Sequence, residues 1–208
     1  MSTQVPKKAG RPTDVGKREA IVAAATRAFF DAGYAATSIE QVAQDAAVSK
    51  VTIYNHFGDK RALFTAAVEA ECERISGHFR IEPAPNGSLR DRLTAIGEGM
   101  VAFLSRQEMV QFERRIAAET EHDPAIGEAF LKAGPHRMKA AFSALLTAMD
   151  EAGELRIEDP LLAAEQFASL CKGMGDLDRR FGRPNDSEYN RRRIAAAVDM
   201  FLARYAPG

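Results

Sequence analysis

The sequence holds only two cysteines, Cys72 and Cys171, with no Cys-x-x-Cys pair and no Cys/His cluster. That usage excludes a disulfide framework, offers no zinc site, and fits a reducing cytoplasm. No apolar run approaches the roughly 18 residues of a membrane-crossing helix, and no apolar segment follows the basic N-terminus, so neither a spanning helix nor a secretory signal is expected. Nor is there an excess of one charge. The formal net charge of -1 removes the global basic field of many nucleic-acid binders and leaves room only for a local one. Sustained two-residue alternation of apolar and polar positions is missing too, which excludes strands and points to an all-α chain. No Ser/His/Asp or Cys/His arrangement marks a nucleophile, and Gly173-Met174-Gly175 closes a helix instead of following a strand, so an enzyme or a dinucleotide binder has nothing in its favour. No cofactor is implied.

What is present is apolar content and an uneven distribution of charge. Hydrophobic residues make up 46% of the 208, enough for one large core or two small ones. From Met1 to Arg61 the chain is net +3, which leaves -4 for the remainder, so the N-terminal third is the part suited to a polyanion. Residues 1–13, with Pro6, Gly10, Pro12 and several basic side chains, read as a flexible arm. Asp14 is a candidate N-cap for a helix whose Ile21, Ala24, Ala25, Ala28, Phe29 and Ala32 recur at helical spacing up to Gly33.

Thr37-Ser38-Ile39-Glu40 has the pattern of a capping box, and Ile39, Val42, Ala43 and Ala46 give the apolar face behind it. Ser49 caps a third short helix. Its Val48, Ile53 and Phe57 face inward, and Ser49, Lys50, Val51, Thr52, Asn55 and His56 face out. After Gly58-Asp59, a longer helix runs to about Phe79, and the Pro- and Gly-rich residues 82–88 form a loop. Further helices follow over Leu89 to Leu104, then 108–121, 124–133, 135–152, 160–177 and 187–205. Two short helices around a turn are the parts of a helix-turn-helix, in which the second helix enters a major groove about 12 Å wide.

The run from Thr37 through Val48-Ser49, Tyr54, His56-Phe57 and Lys60 to Leu63-Phe64, preceded by Phe29 and Gly33, resembles the DNA-binding domain of the TetR (tetracycline-repressor) family. The resemblance spans about residues 15–64. It implies that Thr37, Tyr54, His56 and Lys60 grip the phosphate backbone, that Lys50, Val51, Thr52 and Asn55 lie near the base edges, and that Ser49 belongs to the same DNA-facing set. Phosphate contacts position the protein, and base contacts specify the sequence. A plainer alternative makes Tyr54 and His56 core plugs and Lys60 a solvated cap. Two departures stand out, because the family usually has Gly where this chain has Ala47 and Val51. At Ala47 a positive φ would strain the turn.

The resemblance divides the chain into an arm (1–13), a three-helix DNA-binding domain (14–64) and a larger helical bundle (65–208) for ligand binding and dimerisation. In that bundle Glu119 to Met174, with Asp159-Pro160 and Ala163-Ala164-Glu165-Gln166-Phe167, is similar to the C-terminal part of AefR-like members. Small residues accompany larger ones along two helices: Ala141, Ala144, Leu145, Ala148 and Ala152 on one, Ala164, Phe167, Ala168, Cys171 and Gly175 on the other. Such stripes permit close helix approach, in a homodimer interface or in an intrachain core. Met100, Phe103, Leu104, Phe112, Ile116, Phe130 and Phe142, with His136, Glu113 or Arg114 as polar handles, are candidates to line a pocket for a small apolar or amphipathic effector, or else plain core. Glu119, Glu121, His122 and Asp123 read as a solvated helix end. The expected activity is sequence-specific binding of a double-stranded DNA operator by a homodimer, either ligand-responsive or, alternatively, constitutive or under a protein partner.

Overall fold

Local chemistry starts and stops the helices. The computed structural model describes residues 13–78 and 87–207, and among them it holds ten helices and no strand. Residues 1–12 of the expected arm, most of the 82–88 loop and Phe79 lie outside the described residues. The helices are α1 (Thr13–Ala32), α2 (Ile39–Asp45), α3 (Lys50–Phe57), α4 (Lys60–His78), α5 (Leu89–Leu104), α6 (Gln107–Thr120), α7 (Pro124–Ala133), α8 (Pro135–Glu151), α9 (Pro160–Arg180) and α10 (Ser187–Tyr205). Ser88 and Asp91 form a capping box at α5, and Asp123, Asp159 and Asp186 accept backbone N–H groups at α7, α9 and α10. Thus Asp123, one member of the acidic group at the end of α6, caps the next helix.

Three boundaries differ from expectation. Thr13, not Asp14, opens the first helix. The cap of α2 is Ser38, whose hydroxyl accepts from Gln41 N, and not Thr37. Thr37 is buried instead, and its hydroxyl faces the Gly33 and Ala28 carbonyl oxygens at 2.6 and 3.0 Å. The reason is the reversal at Gly33 (φ 88°), which folds the chain back over the end of α1 and brings Thr37 against the carbonyls there. The third difference is α9, which runs three residues beyond the expected 177. It breaks at Gly173 (φ 48°, ψ -155°), where Arg193 Nε donates to the Cys171 carbonyl oxygen at 2.8 Å. A Cβ on Gly173 would lie 2.7 Å from Arg193 Cδ, so the absent side chain makes room for the arginine.

The apolar interior has two centres. One gathers Ile21, Phe29, Val42, Ile53, Leu63, Phe64 and Val68 from the first four helices together with Phe112 and Ile116 of α6 and Ile126 of α7. Phe30 stacks on Phe112 at 4.0 Å, and Phe112 meets Phe130 edge-on at 5.7 Å. The core of the first four helices therefore continues beyond residue 64 into α6 and α7. The other centre joins Leu93 and Ile96 of α5, Leu146 and Met149 of α8, Ala164, Phe167 and Cys171 of α9, and Ile194, Val198 and Phe201 of α10. Both cysteines are free thiols inside these cores. Burial pushes the pKa of Cys72 up to about 11 and that of Cys171 up to about 12.

The residues expected to enclose one pocket are shared between the two centres. Phe112 and Ile116 are buried in the first, with Phe103 and Phe130 packed against it. Met100 and Phe142 pack against the second, and His136 is exposed. Leu104 is half-buried. Among the described residues these side chains therefore belong to two packing centres and not to one. Of the handles, Arg114 donates to the Arg179 carbonyl oxygen at 2.7 Å, and Glu113 lies 3.3 Å from Arg180, its pKa raised by burial.

The small-residue stripes also separate. Ala141, Ala144, Ala148 and Ala152 of α8 are exposed, and Leu145 is half-buried. On α9, Ala164, Phe167 and Cys171 are buried within the chain, and Ala168 and Gly175 are half-buried. Within the chain, then, the α9 stripe packs inward while the alanines of α8 stay on the surface. The small side chains let α5 and α10 approach, since a Cβ on Gly97 would lie 2.9 Å from Ile194 and 3.1 Å from Cys171 Sγ. The exposed apolar residues are others: Leu161, Leu162, Met174 (68%), Leu177 and Phe181 (82%) along α9 and its end, and Tyr189 and Met200 on α10. No described helix is long and apolar enough to cross a membrane.

Candidate nucleic-acid interface

The recognition surface is built on α3, and one buried residue orients it. Ile53 is almost wholly buried in the first core, so the opposite side of this two-turn helix is presented outward. Ser49 caps it by accepting from Thr52 N at 3.1 Å, and the two hydroxyls lie 2.8 Å apart. Lys50, Val51 (66%), Tyr54 and Asn55 are exposed, Thr52 and His56 are half-exposed, and Phe57 packs beside the core with Arg18 over its ring at 5.3 Å.

The turn between α2 and α3 carries the strain anticipated from the sequence. Ala47 has φ 52° and is the one non-glycine residue with positive φ among those described. The surrounding hydrogen bonds hold it there, because Ala47 N and Val48 N donate to the Gln44 and Ala43 carbonyl oxygens at 3.1 and 2.9 Å. A left-handed alanine costs about 1 kcal/mol relative to glycine.

The expected phosphate ligands are not equally placed. Tyr54 is well exposed at 42%. Lys60, in the first turn of α4, lies back over the ring of Tyr34 at 4.7 Å and donates to the Ala35 carbonyl oxygen at 3.2 Å, and burial lowers its pKa. Thr37 has turned its hydroxyl inward, which removes it from the outward-facing set. Sequence reasoning passed over Glu40. This carboxylate in the first turn of α2 pairs with the Lys50 ammonium, which also sits 5.9 Å from the Tyr54 ring centre. The bond to Lys50, with help from backbone and Ser38 donors, holds the Glu40 pKa at about 2. No local pattern announces a pair ten residues apart that only the crossing of α2 and α3 creates.

Behind the interface, α6 is fastened to the end of α1. Arg115 donates to the Phe30 carbonyl oxygen at 2.8 Å, and Glu119 accepts from Ala35 N at 3.0 Å. The α2–α3 unit thus rests on a base that includes the larger half of the chain.

Comparison with known proteins agrees with this layout. Residues 21–67 match the family described as bacterial regulatory proteins, tetR family, and residues 91–207 match the AefR-like transcriptional repressor C-terminal domain. The HTH-type transcriptional activator FasR of Mycolicibacterium smegmatis is 30% identical over 88 residues, 42% of this chain and 40% of that protein. The chain thus spans well under two thirds of that relative. The uncharacterized regulator YezE of Bacillus subtilis is 26% identical over 167 residues, 74% of this chain and 86% of its own length. A TetR-family regulator structure from Mesorhizobium loti superposes with a TM-score of 0.78 at 27% identity, covering 95% of this chain and all of the other. The flavonoid-responsive regulator FrrA does so with a TM-score of 0.73 at 30% identity, covering 92% and 97%.

Proposed function

The chain belongs to the TetR family of DNA-binding transcriptional regulators, and on that premise we propose that it is a cytoplasmic, ligand-responsive repressor that binds a palindromic operator as a homodimer. The observation that carries the reading is the outward face of α3, where Lys50, Val51, Thr52, Tyr54 and Asn55 reach solvent while Ile53 anchors the helix from behind. Lys50, Val51, Thr52 and Asn55 meet base edges. Ser49, Tyr54 and His56 meet phosphates, and Lys60 joins them once it leaves Tyr34. Val51 offers methyl groups to a thymine methyl where a glycine would offer none.

Two recognition helices need a dimer that sets them about 34 to 36 Å apart on successive turns of DNA. We assign the contact to the outer faces of α9 and α10. They expose Met174, Leu177, Phe181, Tyr189 and Met200, and an open groove of about 390 Å³ runs between α9 and α10 past Gln166, Leu170, Met200, Phe201 and Arg204. Two adjacent helices with apolar outer faces make a patch that can meet its own copy across a two-fold axis.

FrrA is described as responsive to flavonoids, and a small apolar or amphipathic effector is the corresponding proposal for this chain. Such an effector acts only if it binds the free and operator-bound states unequally. The fastening of α6 to Phe30 and Ala35 supplies a path by which a change in the larger half reaches α3. The tight packing of Phe112 and Ile116 favours one rival, a regulator that answers to no small molecule.

The test is fluorescence anisotropy with a duplex that the protein selects from random DNA and a scrambled control, over a salt series. We expect a preference of about 10³-fold or more, and a weaker grip on both duplexes in Tyr54→Phe. Equal binding of both duplexes by the wild type would overturn the reading.

A further inference from the structure

We propose that Glu40 sets the sequence discrimination of this protein by holding Lys50 as an internal ion pair that random DNA leaves intact and a matching operator breaks. The proposal rests on the DNA-reading role given to α3. Its basis is the geometry of three side chains on neighbouring helices. Lys50 lies at the first position of α3, and its ammonium donates to a carboxylate oxygen of Glu40 in the first turn of α2. The same ammonium leans toward the Tyr54 ring. Glu40 is held in turn by the Ser38 hydroxyl at 3.1 Å. Both members of the pair are solvent-exposed, at 65% for Glu40 and 47% for Lys50, so nothing buries the pair and a competing anion can reach it.

The consequence follows from counting charges. A lysine that already has a fixed carboxylate beside it brings little net charge to the phosphate backbone, and so displaces few counterions from DNA. On random DNA it gains too little by leaving Glu40, and the pair stays closed. On the operator a base acceptor such as guanine O6 or N7 replaces the carboxylate, and the pair opens. An exposed ion pair is weak enough for that exchange. Glu40 therefore withholds the lysine from the wrong DNA while costing little on the right one, which is discrimination by a repulsive element. It is a positioning residue, because it acts through Lys50.

The salt dependence of binding reads this directly. Wild type, Glu40→Gln, Lys50→Met and the double variant would be titrated by anisotropy on a duplex selected by the wild type and on its scrambled counterpart, from about 50 to 300 mM KCl. In Glu40→Gln the freed lysine should steepen the log–log salt slope on scrambled DNA by about one unit. It should also tighten that binding about fivefold at the low-salt end, while the slope on the selected duplex stays put. In the Lys50→Met background the same change should have little effect. Lys50→Met alone should weaken the selected duplex and hardly touch the scrambled one, an arm that stands whether or not Glu40→Gln folds. An unchanged scrambled slope in Glu40→Gln, or equal weakening of both duplexes, would overturn the proposal and leave Glu40 as a prop for α3. A wild type that does not prefer its selected duplex would overturn the DNA-reading role itself, an outcome visible before any variant is made.

Discussion

The two cores treat their apolar surface differently. The first, built on α1 to α4, closes with aromatic side chains from several helices: Phe29 meets Phe64 edge-on at 5.3 Å, Tyr34 does the same from the other side, and Phe112 arrives from α6 to stack on Phe30. The second, built on α5, α8, α9 and α10, is as tightly filled inside but leaves Met174, Leu177, Phe181 and Met200 outside. One half is complete within a single chain, and the other is shaped as though part of its packing comes from elsewhere. The difference is that between a core closed by aromatic side chains and one that leaves large apolar side chains at the surface.

The largest effect should come from Phe112→Ala, which removes a fully buried ring where α1, α4, α6 and α7 meet. We expect a loss of about 3–5 kcal/mol in chemical denaturation. A loss near 1 kcal/mol would show that the first core does not depend on α6. Next is the double change Met174→Glu and Leu177→Glu, which places charge on the exposed outer face of α9. Dimer dissociation measured by analytical ultracentrifugation should rise at least about a hundredfold, or about 2.7 kcal/mol, with the folded monomer intact. An unaffected dimer would move the interface elsewhere, with the exposed alanines of α8 as the first place to look. The smallest is Ala47→Gly, which should raise stability by about 1 kcal/mol by relieving the left-handed backbone, with operator affinity unchanged within about twofold. Lower stability would mean that the flexibility added to the unfolded chain outweighs the strain. The sequestered thiols sharpen the comparison further. Cys72 and Cys171 should resist Ellman's reagent at pH 8 until the protein unfolds, because burial keeps both protonated far above their ordinary range.

Much of the helical layout was legible because it is written locally. Pro124 and Pro135 mark the first residues of α7 and α8, and the spacing of Ile21, Ala25 and Phe29 gives α1 its buried face. Ala47 could be read as strained because a particular turn demands a positive φ. What was not legible depends on which surface a stripe meets. Periodicity told that Phe167 and Cys171 share a face of α9 but not that the partner is the chain's own α5 and α10. It gave Phe112 and Met100 as apolar without showing that they serve different cores. Thr37 and Ser38 are neighbours, both able to cap a helix, and only the reversal at Gly33 turns one inward. Glu40 and Lys50 meet only where α2 crosses α3.

The continuation of the first core into α6 and α7 bears on how such a protein can be recombined. The natural cut for a chimera, just after residue 64, would leave Phe30 and Phe64 facing a foreign helix in place of Phe112. The transferable cassette is discontinuous in sequence, residues 13–78 together with 107–133, with α5 threaded between them as a member of the other core. A graft that carries α6 and α7 along with the reading head brings its seat with it, and one that leaves them behind must evolve a new one.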